Sequence, residues 1–130
     1  MYQPVPLPCL ASLDAFWNAS VEDVAEAVLR VGFEPLLGHS PVPSVNFHNL
    51  VYDLTKPMPE INLGLMRPFG KPPLAHVCQV SLEGILFLES RYLAARDAST
   101  AGQSHELSLI LLRRGRVALE SGDLRSALAA

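Results

Sequence analysis

The chain has 130 residues, a hydrophobic fraction of 49% and a formal net charge of −3 at pH 7. A chain of this length can bury a core without disulfides or a structural metal, and its composition excludes a largely disordered protein. The negative net charge also argues against non-specific nucleic-acid binding, which needs clustered positive charge. We therefore expect a single domain over residues 1–130.

The prolines divide the chain, since all 11 lie at or before Pro73. Proline lacks a backbone N–H and breaks helix interiors, so long helices are expected only after this point. We predict a mainly α fold in three parts. An extended proline-rich arm covers residues 1–11, short helices and proline-rich loops cover 12–73, and an antiparallel helical hairpin with a terminal helix covers 81–129.

Two capping signals predict short helices in the first part of the chain. Ser12 can cap a turn that carries Trp17. Ser20 precedes two acidic residues, a pattern that begins a helix because its N-terminus favours a polar cap and negative charge. Apolar side chains share one face over residues 21–31, and Gly32 is a typical stop signal.

A second short helix is predicted to open at Pro43 or Ser44 and to end at Lys56. It has apolar side chains at i, i+3, i+4 and i+7, namely Phe47, Leu50, Val51 and Leu54. The irregular middle follows it. Weak alternation over residues 60–66 and the apolar run over 74–80 leave open a small β-hairpin between these two segments.

The proline-free part predicts two helices, over residues 82–97 (capped by Ser81) and 105–120, joined by a short polar turn. Helices joined in this way usually pack antiparallel. Gly122 ends the second helix, and Asp123 begins a last one that runs through Ala129.

Both predicted helices carry apolar arcs wider than the stripe of roughly 100° that is usual for a surface helix. Because one small domain has difficulty covering two such helices, we expect a homo-oligomer, a dimer built on the hairpin. The residues assigned to this interface are Leu107, Leu111, Phe87 and Arg114. The alternative is that the N-terminal half covers both helices within one chain.

Three charged residues lie where the helical pattern favours apolar ones: Glu89, Arg96 and Arg114. An unpaired buried charge costs several kcal/mol, so these side chains should be paired or lie at an edge. We predict that Glu89 pairs with Arg96 or Arg114. The other interpretations are a functional pocket lined by Glu89 and Tyr92, or simple exposure to solvent.

No motif for catalysis, metal binding or phosphate binding is present. The four histidines do not match the spacing of a metal site. Cys9 and Cys78 are expected to be reduced, buried thiols, and Cys78 lies in an apolar stretch that favours an inert side chain. The only basic cluster, Arg113 to Arg116, is flanked by acidic residues and is typical of a solvated face. We expect no cofactor and no metal.

The sequence therefore favours a non-enzymatic protein–protein interaction module of the adaptor or inhibitor type. We expect it to be cytoplasmic, without a membrane span or nucleic-acid partner, and to act as a homo-oligomer that also has a protein partner. The alternative is a small-molecule-binding or enzymatic domain with a pocket between the hairpin and the proline-rich segment. The residues assigned to that pocket are Glu89, Tyr92, His76 and His48.

Overall fold

The computed structural model describes residues 7–59, 74–97 and 107–129. Its helices are α1 (Leu13–Trp17), α2 (Val21–Phe33), α3 (Phe47–Thr55), α4 (Leu74–Ser90), α5 (Arg113–Ser121) and α6 (Leu124–Ala129). Its strands are β1 (Ser44–Asn46), β2 (Ala94–Arg96) and β3 (Ser108–Leu111). The predicted mainly α fold class is confirmed.

The two predicted serine caps are confirmed. The Oγ of Ser12 accepts the N–H of Ala15 at 3.0 Å, and the Oγ of Ser20 accepts the N–H of Asp23 at 3.2 Å. The predicted stop at Gly32 is wrong, because α2 continues through this glycine to the fully buried Phe33. Gly32 is buried, and a β-carbon there would lie 3.1 Å from the Leu50 side chain, so the glycine allows close packing on α3.

The periodic segment that predicted the second short helix forms α3, and all four of its apolar side chains are buried. The helix begins later than predicted, since residues Ser44–Asn46 pair in the sheet as β1. Asn46 then caps α3, because its Oδ1 accepts the N–H of Asn49 at 3.3 Å.

The sheet has the order β1-β3-β2, and both pairs are antiparallel. The helix predicted over 105–120 is therefore wrong over the described residues of β3, and the helix predicted over 82–97 is wrong beyond Ser90. Burial alternates along β3, with Leu109 and Leu111 buried and Ile110 less so. A short apolar run cannot distinguish helix from strand by periodicity alone, and here pairing with β1 and β2 selects the strand.

The start of α4 corrects two further predictions. Residues 74–80 form its first turns and not a strand of a hairpin; residues 60–66 lie outside the described residues. Ser81 does not cap a helix but is buried within one. The helix therefore begins well before the predicted residue 82.

Helix α4 packs mainly on α2, and α5 packs on α6. After α4 the chain reverses direction through β2 and β3. The antiparallel pair that was predicted as two helices is therefore formed by two strands. At Gly84 a β-carbon would lie 2.6 Å from Cγ1 of Val24 and 3.3 Å from the backbone nitrogen of Ala25, so the two helices approach closely. The buried side of α4 is thus covered within the chain.

The core contains side chains from both parts of the chain, among them the fully buried Phe16, Phe33, Leu88, Leu109 and Leu124. The predicted extended arm is wrong over Pro8–Leu10, which form a 3-10 turn because Cys9 and Leu10 enter this core; residues 1–6 lie outside the described residues. In the part of the chain that the structure describes, no helix has the length and hydropathy required to cross a bilayer.

Substituting Gly115 tests the packing of α5. An added β-carbon would overlap the carbonyl oxygen of Leu93 and approach Cδ1 of Leu111 to 2.8 Å. We expect Gly115→Ala to lower the free energy of unfolding by about 1–3 kcal/mol, as overpacking does. Gly32→Ala is the matched control, since its added β-carbon would meet only the side chains of Leu50 and Val45, which can move. Equal losses in urea unfolding for the two variants would contradict the close approach of α5 to Leu93.

Candidate functional site

The residues predicted to line one pocket lie in separate places. His76 is in the first turn of α4 and Glu89 in its last turn, about 20 Å away at 1.5 Å per residue. Tyr92 lies just beyond that second end, and the half-buried His48 is on α3. The structure therefore brings Tyr92 close to Glu89 along the chain but does not bring His76 to them.

Trp17, the only tryptophan in the chain, is the main aromatic feature at the first end of α4. It ends α1, and its side chain is 48% exposed, whereas the preceding Phe16 is completely buried. Neighbouring residues of a helix project about 100° apart, so a short helix that anchors Phe16 in the core must turn Trp17 away from it. The indole lies against the ring of His76, with 5.2 Å between centroids and an interplanar angle of 56°.

Two open depressions meet at Trp17. The larger, about 440 Å³, is lined by Leu13, Asp14, Trp17 and His76. The smaller, about 120 Å³, is lined by Trp17, Ala19, Val21, Val24, Gln79, Val80 and Glu83. We refer to the two together as the Trp17 cleft. Its larger part is within the size range of ligand pockets, but only four residues line it, so it is better suited to a protruding side chain than to an enclosed substrate.

The rim of the Trp17 cleft is acidic. Glu83 is exposed and has no ion-pair partner among the described residues. In the same residues, the Asp14 carboxylate accepts only a 3.4 Å hydrogen bond from the Asn18 side chain. The described residues of α4, Leu74–Ser90, contain no Lys or Arg. Such a surface does not suit phosphate groups, which basic side chains neutralise. An aromatic face beside carboxylates favours a cationic group instead.

The predicted ion pair at the other end of α4 is confirmed, with Arg96 as the partner of Glu89. Arg96 Nη2 lies 3.0 Å from Glu89 Oε1, and the backbone N–H of Arg96 donates to Oε2 at 2.9 Å. The hydrogen bond from the Arg96 side chain is the main reason that the pKa of Glu89 is lowered. These contacts join α4 to β2, which indicates a structural role for Glu89.

Tyr92 reverses the chain after α4 in a left-handed conformation, with φ 58°. Its own N–H donates to the carbonyl of Glu89 at 3.1 Å, and the N–H of Leu93 donates to that of Leu88 at 3.0 Å. This pair of bonds is the Schellman motif, in which glycine is the usual residue at the left-handed position. The Tyr92 side chain is 71% exposed, so buried packing does not explain the choice of tyrosine.

A basic surface lies beside Tyr92. The N–H of Leu112 donates to the carbonyl of Leu93 at 3.1 Å, which brings the start of α5 to the end of α4. The first two residues of α5, Arg113 and Arg114, are exposed and have no ion-pair partner in the described ranges. We refer to Tyr92, Arg113 and Arg114 as the arginine surface.

Most of the residues assigned to a dimer interface make contacts within their own chain. Leu111 is buried in the core and Leu107 packs against it. Phe87 is half-buried, and the guanidinium of Arg91 lies 4.7 Å from the centre of its ring. Of the four, Arg114 alone is exposed, because the strand at 108–111 turns the leucines inward.

Neither thiol is activated. Cys9 and Cys78 are free, and burial raises the pKa of each to about 11. A thiol with this pKa is almost entirely protonated at neutral pH and is a poor nucleophile. Within residues 7–59, 74–97 and 107–129, no group of three or more His, Cys, Asp or Glu side chains is placed to hold a metal ion.

No protein-family model, curated protein or solved structure matches this chain. Trp17 was not among the site residues predicted from the sequence. The available signal was the Phe16–Trp17 pair on a very short predicted helix, since only one of two adjacent aromatic side chains can face the same core.

Glu89→Gln tests the ion pair. Because the folded-state pKa of Glu89 is lowered, its contribution to stability is present above the unfolded-state pKa and lost as pH falls through the folded-state value. Both side chains are partly exposed, so we expect a loss of at most about 1 kcal/mol at pH 7 that shrinks as the pH falls below the usual pKa range of a glutamate carboxyl. Glu83→Gln, on the same helix and without an ion-pair partner among the described residues, is the control and should lose no stability in urea unfolding at pH 7 or at pH 3.

Tyr92→Gly tests the left-handed residue. Glycine removes the cost of this conformation, but it also makes the unfolded chain more flexible, which offsets part of the gain. The free energy of unfolding should therefore rise by roughly 0.5–1 kcal/mol. Tyr92→Ala removes the ring but keeps the unfavourable conformation and should show no such gain. If thermal unfolding ranks alanine above glycine, the backbone assignment at this position is wrong.

Proposed function

We propose that this protein is a non-enzymatic protein–protein interaction module that acts as a homo-oligomer through a surface centred on Trp17. The observation that carries the proposal is the half-exposed indole, held in an open cleft between α1 and α4. Tryptophan is enriched among the residues that dominate binding energy at protein interfaces. An unburied tryptophan on so small a chain is best explained by a partner that covers it.

The surroundings of Trp17 support a protein contact. The side chain of Val21 is 37% exposed and lines the same cleft. Leu86 is 52% exposed and follows Glu83 by three residues, so it continues the exposed side of α4. Apolar side chains with carboxylates at the edge make up the apolar centre and polar rim that are usual in interfaces.

The chemistry of the described residues supports a binding role over catalysis. The two thiols are kept protonated by burial. His76 and Glu89, two of the four titratable residues assigned to a pocket from the sequence, lie at opposite ends of α4. Reduced thiols also support our proposal of a cytoplasmic location, where disulfides are rare.

A second candidate function is small-molecule binding in the larger part of the Trp17 cleft. Its volume, about 440 Å³, and the presence of Asp14 and His76 favour a small cationic or aromatic compound. A ligand of this kind would leave the protein monomeric and add its own mass in a native mass spectrum. Self-association without added mass favours the interaction module.

Trp17→Ala tests the proposed contact. Loss of a dominant interface residue typically costs 2 kcal/mol or more, so we expect the dissociation constant of the oligomer to rise about 30-fold or more. Sedimentation velocity across a concentration series measures this change, and circular dichroism verifies that the variant is folded. Trp17→Phe should retain part of the association because it keeps an apolar ring.

Val42→Ala is the control, because Val42 is 59% exposed and does not line the Trp17 cleft. Its association should equal that of the wild type. Equal dissociation constants for the wild-type and Trp17→Ala oligomers would contradict the assignment of this surface.

A further inference from the structure

We infer that the Trp17 cleft of one molecule receives Arg113 and Arg114 from a second copy of the chain. The inference rests on the proposed self-association and assigns the side chains on both sides of the contact. It follows from two exposed surfaces of opposite charge at the two ends of α4, each of which contains an exposed aromatic residue.

The acidic side of the contact contains Trp17, Asp14 and Glu83. The indole offers an aromatic face, and the two carboxylates lie in the two depressions that share it. A guanidinium that stacks on an indole gains a cation–π interaction, which is strongest for tryptophan. Carboxylates beside the ring can then accept hydrogen bonds from the N–H groups at the edge of the guanidinium.

In the part of the chain that the structure describes, Asp14 and Glu83 have no cationic partner, whereas Asp23, Glu26 and Glu34 each have one. Asp23 and Glu26 both lie within 2.7 Å of Arg125 Nη2, and Glu34 Oε2 lies 2.8 Å from Arg30 Nη1. Asp14 and Glu83 have no such contact in the part of the chain that the structure describes. A cation that enters the Trp17 cleft therefore meets two carboxylates that no described side chain neutralises.

The basic side of the contact contains Arg113 and Arg114. They have no ion-pair partner among the described residues, whereas the third arginine of the cluster has one. Arg116 donates to the carbonyl of Pro41 at 2.6 Å and lies 3.6 Å from Glu120. Its role is to attach α5 to the loop that precedes β1. The first two arginines and Tyr92 are exposed and can contact another molecule.

The two surfaces cannot meet within one molecule. Trp17 lies against the first turn of α4, and the arginine surface lies beyond its last turn. A helix of 17 residues is about 25 Å long, much longer than an arginine side chain. The contact must form between copies, either reciprocally around a two-fold axis or head to tail, and both arrangements pair the same two surfaces.

Charge reversal on each side tests the inference. One variant carries Arg113→Glu and Arg114→Glu, and the other carries Asp14→Arg and Glu83→Arg. Acidic residues at the start of α5 suit the helix dipole, so the first variant should fold. Each variant alone should self-associate at least about tenfold more weakly than the wild type, because like charges then face each other.

Mixing the two variants in equal amounts should restore association close to that of the wild type, since reversed charges are again complementary. Sedimentation velocity with one variant fluorescently labelled measures the mixed complex. Arg113→Lys with Arg114→Lys is the control for charge, and it should associate more strongly than the glutamate variant. Wild-type association should also weaken as salt rises from 50 to 500 mM, about the range over which screening becomes strong.

The outcomes separate this inference from the proposed function. Restored association in the mixture supports the inference. If both charge variants associate like the wild type while Trp17→Ala does not, the interaction module stands and the arginine surface is not its partner. If the wild type is monomeric throughout the concentration series, the proposed self-association fails and the inference fails with it.

Discussion

The close packing of α4 on α2 is the contact on which the rest of the structure depends. At Gly84 the two helices are so close that only glycine fits without displacing Val24. Helices α1 and α3 pack on the same α4, and β2 follows from its end. This arrangement buries one side of α4 and leaves the opposite side, from His76 to Ser90, in solvent. The exposed side is thus a direct consequence of how the core is built.

The distribution of charge along α4 gives this exposed side its character. Charges elsewhere in the described residues are largely neutralised, as at Arg30 between two glutamates and at Glu89 with Arg96. Among the described side chains, the carboxylates around Trp17 and the first two arginines of α5 have no ion-pair partner. A chain with a net charge of only −3 is therefore locally bipolar, which permits copies to attract each other without strong overall repulsion.

Local signals predicted those parts of the fold that neighbouring residues decide. Ser12 and Ser20 cap the helices that they were predicted to begin, and Gly122 ends α5 in the left-handed conformation. The apolar run at 107–112 was assigned to a helix because its leucines fit either periodicity, and only pairing with β1 and β2 selects the strand. Ser81 resembled a cap because it precedes an apolar run, but tertiary packing extends α4 back to Leu74.

The candidate site depended still more on tertiary structure. The pairing of Glu89 with an arginine could be predicted, since burial of a lone charge is costly. The exposure of Trp17 could not, because it depends on which of two adjacent aromatic side chains the core accepts. The arginines were visible in the sequence, but their separation from Trp17 by the length of α4 is a property of the fold alone.

The central claim is that a second copy of the chain covers the Trp17 cleft. A native mass spectrum of the wild-type protein at low micromolar concentration tests it most directly. We predict a dimer or larger assembly whose mass is a whole multiple of the 14.1 kDa chain. A monomer that carries an added small molecule or metal would contradict the claim and assign the cleft to a ligand.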